Sequence, residues 1–335
     1  MPNSNLIRIR GLLDKSSDTT NIQRDTGITN QMENDNSETI LLPDGRKLGY
    51  AQFGSPTGRA VFFVHGHPGS RLEGAHLHDV GLKLGARIIC ADRPGTGLSS
   101  PQPGRTLLDH PKDLEHLADH LKLERYGVLG VSGGGPYALA CAYALPRDKL
   151  KCVSIVCGLG PVYEIGMKGA RWVNWLGFAF GYRYCPRILN RWFWQSQTCG
   201  RLDLSDEQRL QLHMKEFSNP KSVAERKDFD AMTNEVNARR FMRASRAAFA
   251  QGYDGCLQDG KILSSPLGFR IEDIRPDLPV QLWYGKMDVN VPLNHGETVA
   301  KRLGDRAVLR VEDETHASIF FNWREQFLGD LVRAI

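Results

Sequence analysis

The stretch Gly130-Val131-Ser132-Gly133-Gly134-Gly135-Pro136 limits what this chain can fold into more than any other. It sets a G-x-S-x-G pattern between an apolar, strand-like run (125–131) and a run with the make-up of a buried helix (137–145). A serine on a sharp strand-to-helix turn is pushed out of the backbone with its hydroxyl exposed. The flanking glycines permit that turn because they carry no β-carbon to clash. The following helix points its free N–H groups at the space beside the serine, which suits a developing negative charge. A plain turn serine is the alternative reading, so the rest of the chain must supply the missing chemistry.

A serine hydroxyl is a poor nucleophile until a base takes its proton. The base in turn needs a carboxylate to hold its tautomer and stabilise its charged form. Residues 279–284 form a strand-like run, followed by a loop (285–292) that contains Asp288. A helix-like stretch (293–303) leads to a second strand-like run (307–311) and then to Glu312-Asp313-Glu314-Thr315-His316. The order is Ser132, Asp288, His316. Each stands just past an apolar strand, where open parallel sheets bind ligands. Asp288 also fits a helix N-cap, and Glu312, Asp313 and Glu314 compete with it as partners of His316. Its place after a strand and its G-x-x-D-x-x-x-P spacing favour Asp288. His316 competes with His295, which falls inside the helix-like stretch.

Two further blocks complete the pattern. Val61-Phe62-Phe63-Val64-His65-Gly66-His67-Pro68-Gly69 is a strand followed by an H-G-x-P-G loop, and Asp92-Arg93-Pro94-Gly95-Thr96-Gly97-Leu98-Ser99 is a D-x-x-G-x-G-x-S turn. With these blocks in this order, the chain resembles the α/β-hydrolases from about Leu41 to the C-terminus, with the middle third diverging. The resemblance implies a mostly parallel, doubly wound α/β sheet with an inserted helical cap. It implies an oxyanion hole made by the backbone N–H groups of His67 and Gly133. It also separates this chain from the epoxide hydrolases and haloalkane dehalogenases of that fold, which carry aspartate where Ser132 stands.

The order of elements agrees. Residues 39–53 read as an opening hairpin around Pro43-Asp44-Gly45, a turn with favoured residues. Strand-like runs near 61–64 and 87–91 alternate with helix-like runs near 71–84 and 109–121, and 152–157 reads as a further strand. Such alternation implies a parallel sheet covered on both faces. The expected division is a disordered lead-in (1–37), rich in Asn, Asp, Ser and Thr, a core of 38–159 and 268–335, and a cap insertion of 160–267. Nine aromatic residues, Trp172, Trp175, Phe178, Phe180, Tyr182, Tyr184, Trp192, Phe193 and Trp194, crowd the start of the insertion within 23 positions. Three readings fit them: cap core, an apolar substrate pocket, or a lid that touches lipid interfaces. Downstream, 231–251 has helical spacing with Arg239, Arg240, Arg243 and Arg246, read as a solvated face.

Composition narrows the classes. Of 335 residues, 24 % are charged and 41 % hydrophobic, with a net charge of +5, the values of an ordinary globular protein. The basic residues are scattered, so no nucleic-acid partner is expected. No run approaches the roughly 18 apolar residues that span a membrane. Residues 6–13 read as too short and too charged for a secretory signal core. Arg8, Arg10 and Lys15 fit a mitochondrial presequence, but Asp14, Asp18 and Asp25 argue against it, and the last residues match neither an S-K-L nor a K-D-E-L address. Seven cysteines without a C-x-x-C pair favour a reducing compartment, and the expected location is cytoplasmic. The close pairs His65/His67 and His76/His78 invite a metal. The first pair sits in a Gly/Pro turn without accompanying Cys or carboxylate ligands, so neither a metal nor another cofactor is expected.

The expected function is a serine hydrolase acting on an ester, thioester or lactone of a small apolar substrate, with Ser132, His316 and Asp288 as triad. Fold alone does not choose among relatives. A C–C hydrolase, an aminopeptidase, a cofactor-free haloperoxidase and a ligand-binding receptor with little turnover all stay open. So does the oligomeric state.

Overall fold

The structure, a computed structural model, describes Asn36–Ile335. The expected lead-in lies outside the described residues as far as Asp35. Eight strands make one sheet: β1 (Ser37–Leu41), β2 (Lys47–Gly54), β3 (Arg59–Val64), β4 (Ala86–Ala91), β5 (Tyr126–Val131), β6 (Leu150–Val156), β7 (Val280–Gly285) and β8 (Ala307–Glu312). Their spatial order is β1-β2-β4-β3-β5-β6-β7-β8. The pairs β1/β2 and β2/β4 are antiparallel and all others parallel. The near-continuous apolar runs of β3, β4, β5 and β6 follow from burial on both faces.

Helices cover both faces. On one side lie α1 (His78–Leu84) and α11 (His316–Ala334), with Leu77, Val80, Ile319, Phe327 and Leu331 in the core. On the other lie α2 (Asp109–His120), α3 (Gly135–Ala144) and α10 (Asn294–Leu303), with Leu114, Leu117, Tyr137, Leu139, Val299 and Leu303 buried. No helix among the described residues is long and apolar enough to cross a membrane. All seven cysteines are free thiols.

The segment between β6 and β7 is helical. It contains α4 (Trp172–Leu176), α5 (Arg187–Ser196), α6 (Asp206–Glu216), α7 (Val223–Met232), α8 (Glu235–Ala248) and α9 (Asp254–Leu263). Side-chain caps start several of them: Ser205 and Gln208 form a reciprocal capping box, and Ser222 and Asn234 each accept from a backbone N–H three residues on. The insertion buries small apolar clusters of its own, one around Trp194, Phe249 and Tyr253 and one around Leu210, Ala238 and Met242. Arg239, Arg240 and Arg246 of α8 are engaged in ion pairs. Arg239 meets Glu207 and Glu235, Arg240 meets Asp79, and Arg246 meets Asp206.

Candidate active site

Ser132 sits at φ +53°, the left-handed region that L-residues other than Asn and Asp rarely occupy. The surrounding glycines make that turn feasible by close approach. A β-carbon on Gly130 would fall 2.6 Å from Ala138 Cβ, and one on Gly134 would fall 2.2 Å from the Val64 carbonyl oxygen. The third glycine of the run has its own reason: a β-carbon on Gly135 would meet the Leu159 carbonyl oxygen at 2.6 Å. Thus β5, the turn and α3 press against the ends of β3 and β6, and Ser132 is held at the crest.

The three residues expected to work together do converge. His316 Nε2 lies 3.0 Å from Ser132 Oγ, and His316 Nδ1 lies 2.7 Å from Asp288 Oδ2. His316 occupies the first turn of α11, where Thr315 and Ser318 form a reciprocal cap that fixes the entry of the helix. Asp288 faces His316 and does not cap α10, whose N-cap position is Leu293 with no side-chain cap. Asp288 Oδ1 accepts from the N–H groups of Asn290 and Val291, each at 2.8 Å, while Oδ2 faces the imidazole. The competing acid Glu314 is used elsewhere: it accepts from Ser318, Asn322 and Lys227. Burial alone would lower the His316 pKa. The Asp288 carboxylate overcomes this and raises it well above the usual value for histidine.

The two amides expected to face an oxyanion lie side by side. A β-carbon on Gly133 would fall 3.1 Å from His67 N. Among the described residues, neither amide donates to another protein group. The neighbouring Gly66 N–H, by contrast, is committed to Glu73 Oε2 at 2.9 Å. The His67 ring is turned away into the insertion. Its Nε2 lies 2.9 Å from the Tyr182 hydroxyl, its plane meets Phe178 and Trp194 edge-on, and burial brings its pKa down to about 4.

Several residues at the site escaped the sequence reading. Arg93, from the turn after β4, is fully buried and donates to the carbonyl oxygens of His65 (2.8 Å) and Gly66 (2.6 Å). Its Nε meets Asp259 of α9, which also pairs with Arg105 and accepts from the Tyr137 hydroxyl at 2.9 Å. Burial alone would raise the Asp259 pKa, but Arg93 and Arg105 hold it well below the usual carboxylate range. Glu73 borders the same loop, and burial pushes its carboxyl up to about 7. Cys157, at φ +41° just after β6, is buried beside Asp288 and His316. Donor atoms of Cys157, Asp288 and His316 lie within 4.8 Å of one another, so among the described residues these three form a group able to hold a metal ion. The histidine pairs form no such group: His65 Nδ1 contacts the Gly66 carbonyl oxygen, His76 packs on Phe320 and Phe321, and His78 accepts from Gly54.

A cavity of about 780 Å³ opens over Ser132, lined mainly by Trp172, Phe178, Leu189, Trp192, Phe193 and Phe321. Glu73 and Asp228 are its acidic groups. The aromatic segment therefore divides its work. Trp194 is core, Phe178 and Phe193 line the cavity, and Trp175, Phe180 and Tyr184 face outward.

Comparison with known proteins follows the same lines. Residues 59–180 match the family described as alpha/beta hydrolase fold. A proline iminopeptidase of Xylella fastidiosa is 33 % identical over 119 residues, which cover 34 % of this chain and 37 % of that protein. One from Arabidopsis thaliana is 32 % identical over 117 residues, covering 34 % and 30 %. The chain thus spans about a third of the length of the curated relatives it matches. Among solved structures, an esterase from Exiguobacterium antarcticum superposes with a TM-score of 0.57 at 20 % identity, covering 88 % of this chain and 97 % of that one. Fold, matched blocks and relatives agree: the chain has the α/β-hydrolase fold, and its residues 59–180 match the α/β-hydrolase family.

Proposed function

We propose that this chain is a serine hydrolase that cleaves an ester, thioester or lactone of a small apolar substrate through an acyl-enzyme. The supporting observation is the 3.0 Å approach of His316 Nε2 to Ser132 Oγ, with Asp288 behind the ring. Ser132 Oγ attacks the carbonyl carbon as His316 takes its proton. The amides of His67 and Gly133 hold the oxyanion. The tetrahedral intermediate expels the alcohol or thiol, which takes the proton from His316. Water then repeats the cycle on the acyl group and leaves a carboxylic acid. Helices 160–267 act as the cap that closes an apolar space over the reacting atoms.

A second reading is release of an N-terminal residue from a peptide. Two observations favour it: the relatives named proline iminopeptidase, and the acidic groups Glu73 and Asp228 in the cavity, suited to a substrate ammonium group. Turnover of p-nitrophenyl esters against proline p-nitroanilide separates the two. For either, a fluorophosphonate probe should add one adduct to the wild-type protein, read by intact mass, and none to Ser132→Ala. A folded wild type that stays unlabelled would sink both readings.

A further inference from the structure

The insertion carries an outward face that the triad does not use. Residues 172–184 run as one continuous helix, with a π turn over Gly177–Gly181 between α4 and Tyr182–Tyr184. Its outer stripe is Trp172, Trp175, Leu176, Phe180 and Tyr184. The next helix, α5, adds Ile188, Leu189 and Trp192. These eight are nearly half of the 17 large apolar side chains exposed among the described residues, gathered in 21 consecutive positions. Trp172, Ile188 and Trp192 are 75 %, 73 % and 68 % exposed. Scattered exposed apolar residues need no explanation, but a gathered patch marks an interaction surface.

Charge specifies the partner. From Glu164 to Asp203 there are six Lys or Arg and no acidic residue in between. Arg191 is paired with Asp254, and Arg183 donates to the Ser264 carbonyl oxygen. Lys168, Arg171 and Arg187 form no ion pair among the described residues and stand exposed beside the apolar stripe. Tryptophan and tyrosine flanked by arginine is the chemistry of the lipid headgroup boundary, where rings bury and guanidinium groups stay with phosphate. A second copy of this chain fits poorly, because a shared face would set like charges against each other. The patch also runs into the cavity: Trp172, Leu176, Leu189 and Trp192 belong to both.

We propose that this face docks the protein on an anionic lipid surface and presents lipid-borne acyl groups to the cavity over Ser132. Docking stands on the patch and its charge; presentation of a substrate rests on the hydrolase reading. The face lies on the membrane and inserts no spanning helix.

The test is flotation of the full chain with vesicles of phosphatidylcholine, with and without phosphatidylserine. Binding should require the anionic lipid and fall with salt. Replacing Lys168, Arg171 and Arg187 together by serine should weaken binding about a hundredfold or more. Trp175→Ser with Ile188→Ser, neither of which lines the cavity, should lose binding while hydrolysis of a short soluble ester is unchanged. Equal binding to neutral vesicles, undiminished binding by either variant, or a wild-type dimer that ignores vesicles would each overturn the proposal. Loss of soluble-ester hydrolysis in the Trp175/Ile188 variant would also overturn it, since the face would then serve the folding of the insertion. Flotation of Ser132→Ala reads docking apart from turnover. Binding without any wild-type hydrolysis removes the hydrolase reading and leaves docking, and hydrolysis without binding does the reverse.

Discussion

Asp259 of the insertion and Arg93 of the core form an ion pair with both side chains out of contact with water. The pair ties α9 to the loop that carries His67, because the same guanidinium holds the carbonyl oxygens of His65 and Gly66. A bidentate cation on two successive carbonyls fixes their peptide planes, and with them the direction of the His67 N–H. The insertion is therefore coupled to the site by charge as well as by covering it.

Removing Asp259 exposes the cost of that arrangement. Asp259→Asn leaves Arg93 and Arg105 buried without a counter-charge, and breaking such pairs costs about 3–5 kcal/mol. The expected outcome is a fall of that size in urea unfolding free energy, with a loss of kcat/KM in the protein that remains folded. An unchanged urea midpoint would show that the pair contributes nothing to stability.

The Asp288–His316 contact fixes the sign of the pH dependence. Burial lowers the imidazole pKa, and Asp288 raises it beyond that effect. Only neutral His316 can take the Ser132 proton, so kcat/KM should rise with pH through that raised value. In Asp288→Asn the acidic limb should move to lower pH, and kcat should fall about 10⁴-fold, the scale known for lost triad carboxylates. A limb that stays in place after the substitution would exclude Asp288 as the partner.

Ser132, Asp288 and His316 were legible because each follows an apolar strand, and a parallel sheet brings strand ends together whatever lies between them. Asp259 was not legible. It lies 166 residues from Arg93 inside an ordinary amphipathic helix, and only the tertiary placement of α9 gives it meaning. Glu73 was hidden in the run Gly69-Ser70-Arg71-Leu72-Glu73, which reads as a helix start. Cys157 was hidden at the end of a strand, where a thiol passes for a small apolar residue. The aromatic segment resisted assignment for a different reason. The π turn at Gly177–Gly181 shifts the helical register, so its outer and inner residues do not follow one 3.6-residue period. Gly135 carries no signal of its own in the sequence, because its necessity comes from the Leu159 carbonyl across the turn.

That last contact predicts a stability effect at a position remote from the hydroxyl. Gly135→Ala would place a β-carbon 2.6 Å from Leu159 O and 2.9 Å from Gly158 Cα, both backbone atoms that cannot swing away. Overpacking of this kind costs about 1–3 kcal/mol. Thermal unfolding should show a lower Tm for Gly135→Ala. A melting temperature equal to that of the wild type would mean the turn relaxes freely.

Glu73 predicts how stability itself varies with pH. Its ordinary pKa of 4.5 is raised by burial to about 7 in the folded protein, against the opposing pull of the Gly66 N–H and the Arg93 charge. The folded state thus holds this proton more tightly than the unfolded chain. The stabilisation is complete below pH 4.5 and is lost as pH rises through 7. A shift of this size corresponds to about 3 kcal/mol at most, and the partial exposure of Glu73 to the cavity reduces the expected loss to about 1–2 kcal/mol. Glu73→Gln keeps an acceptor for the Gly66 N–H but cannot ionise. Its unfolding free energy should therefore change less between pH 5 and pH 8 than that of the wild type, with the variant gaining on the wild type at the alkaline end. Parallel curves for the two proteins across that interval would refute the burial argument.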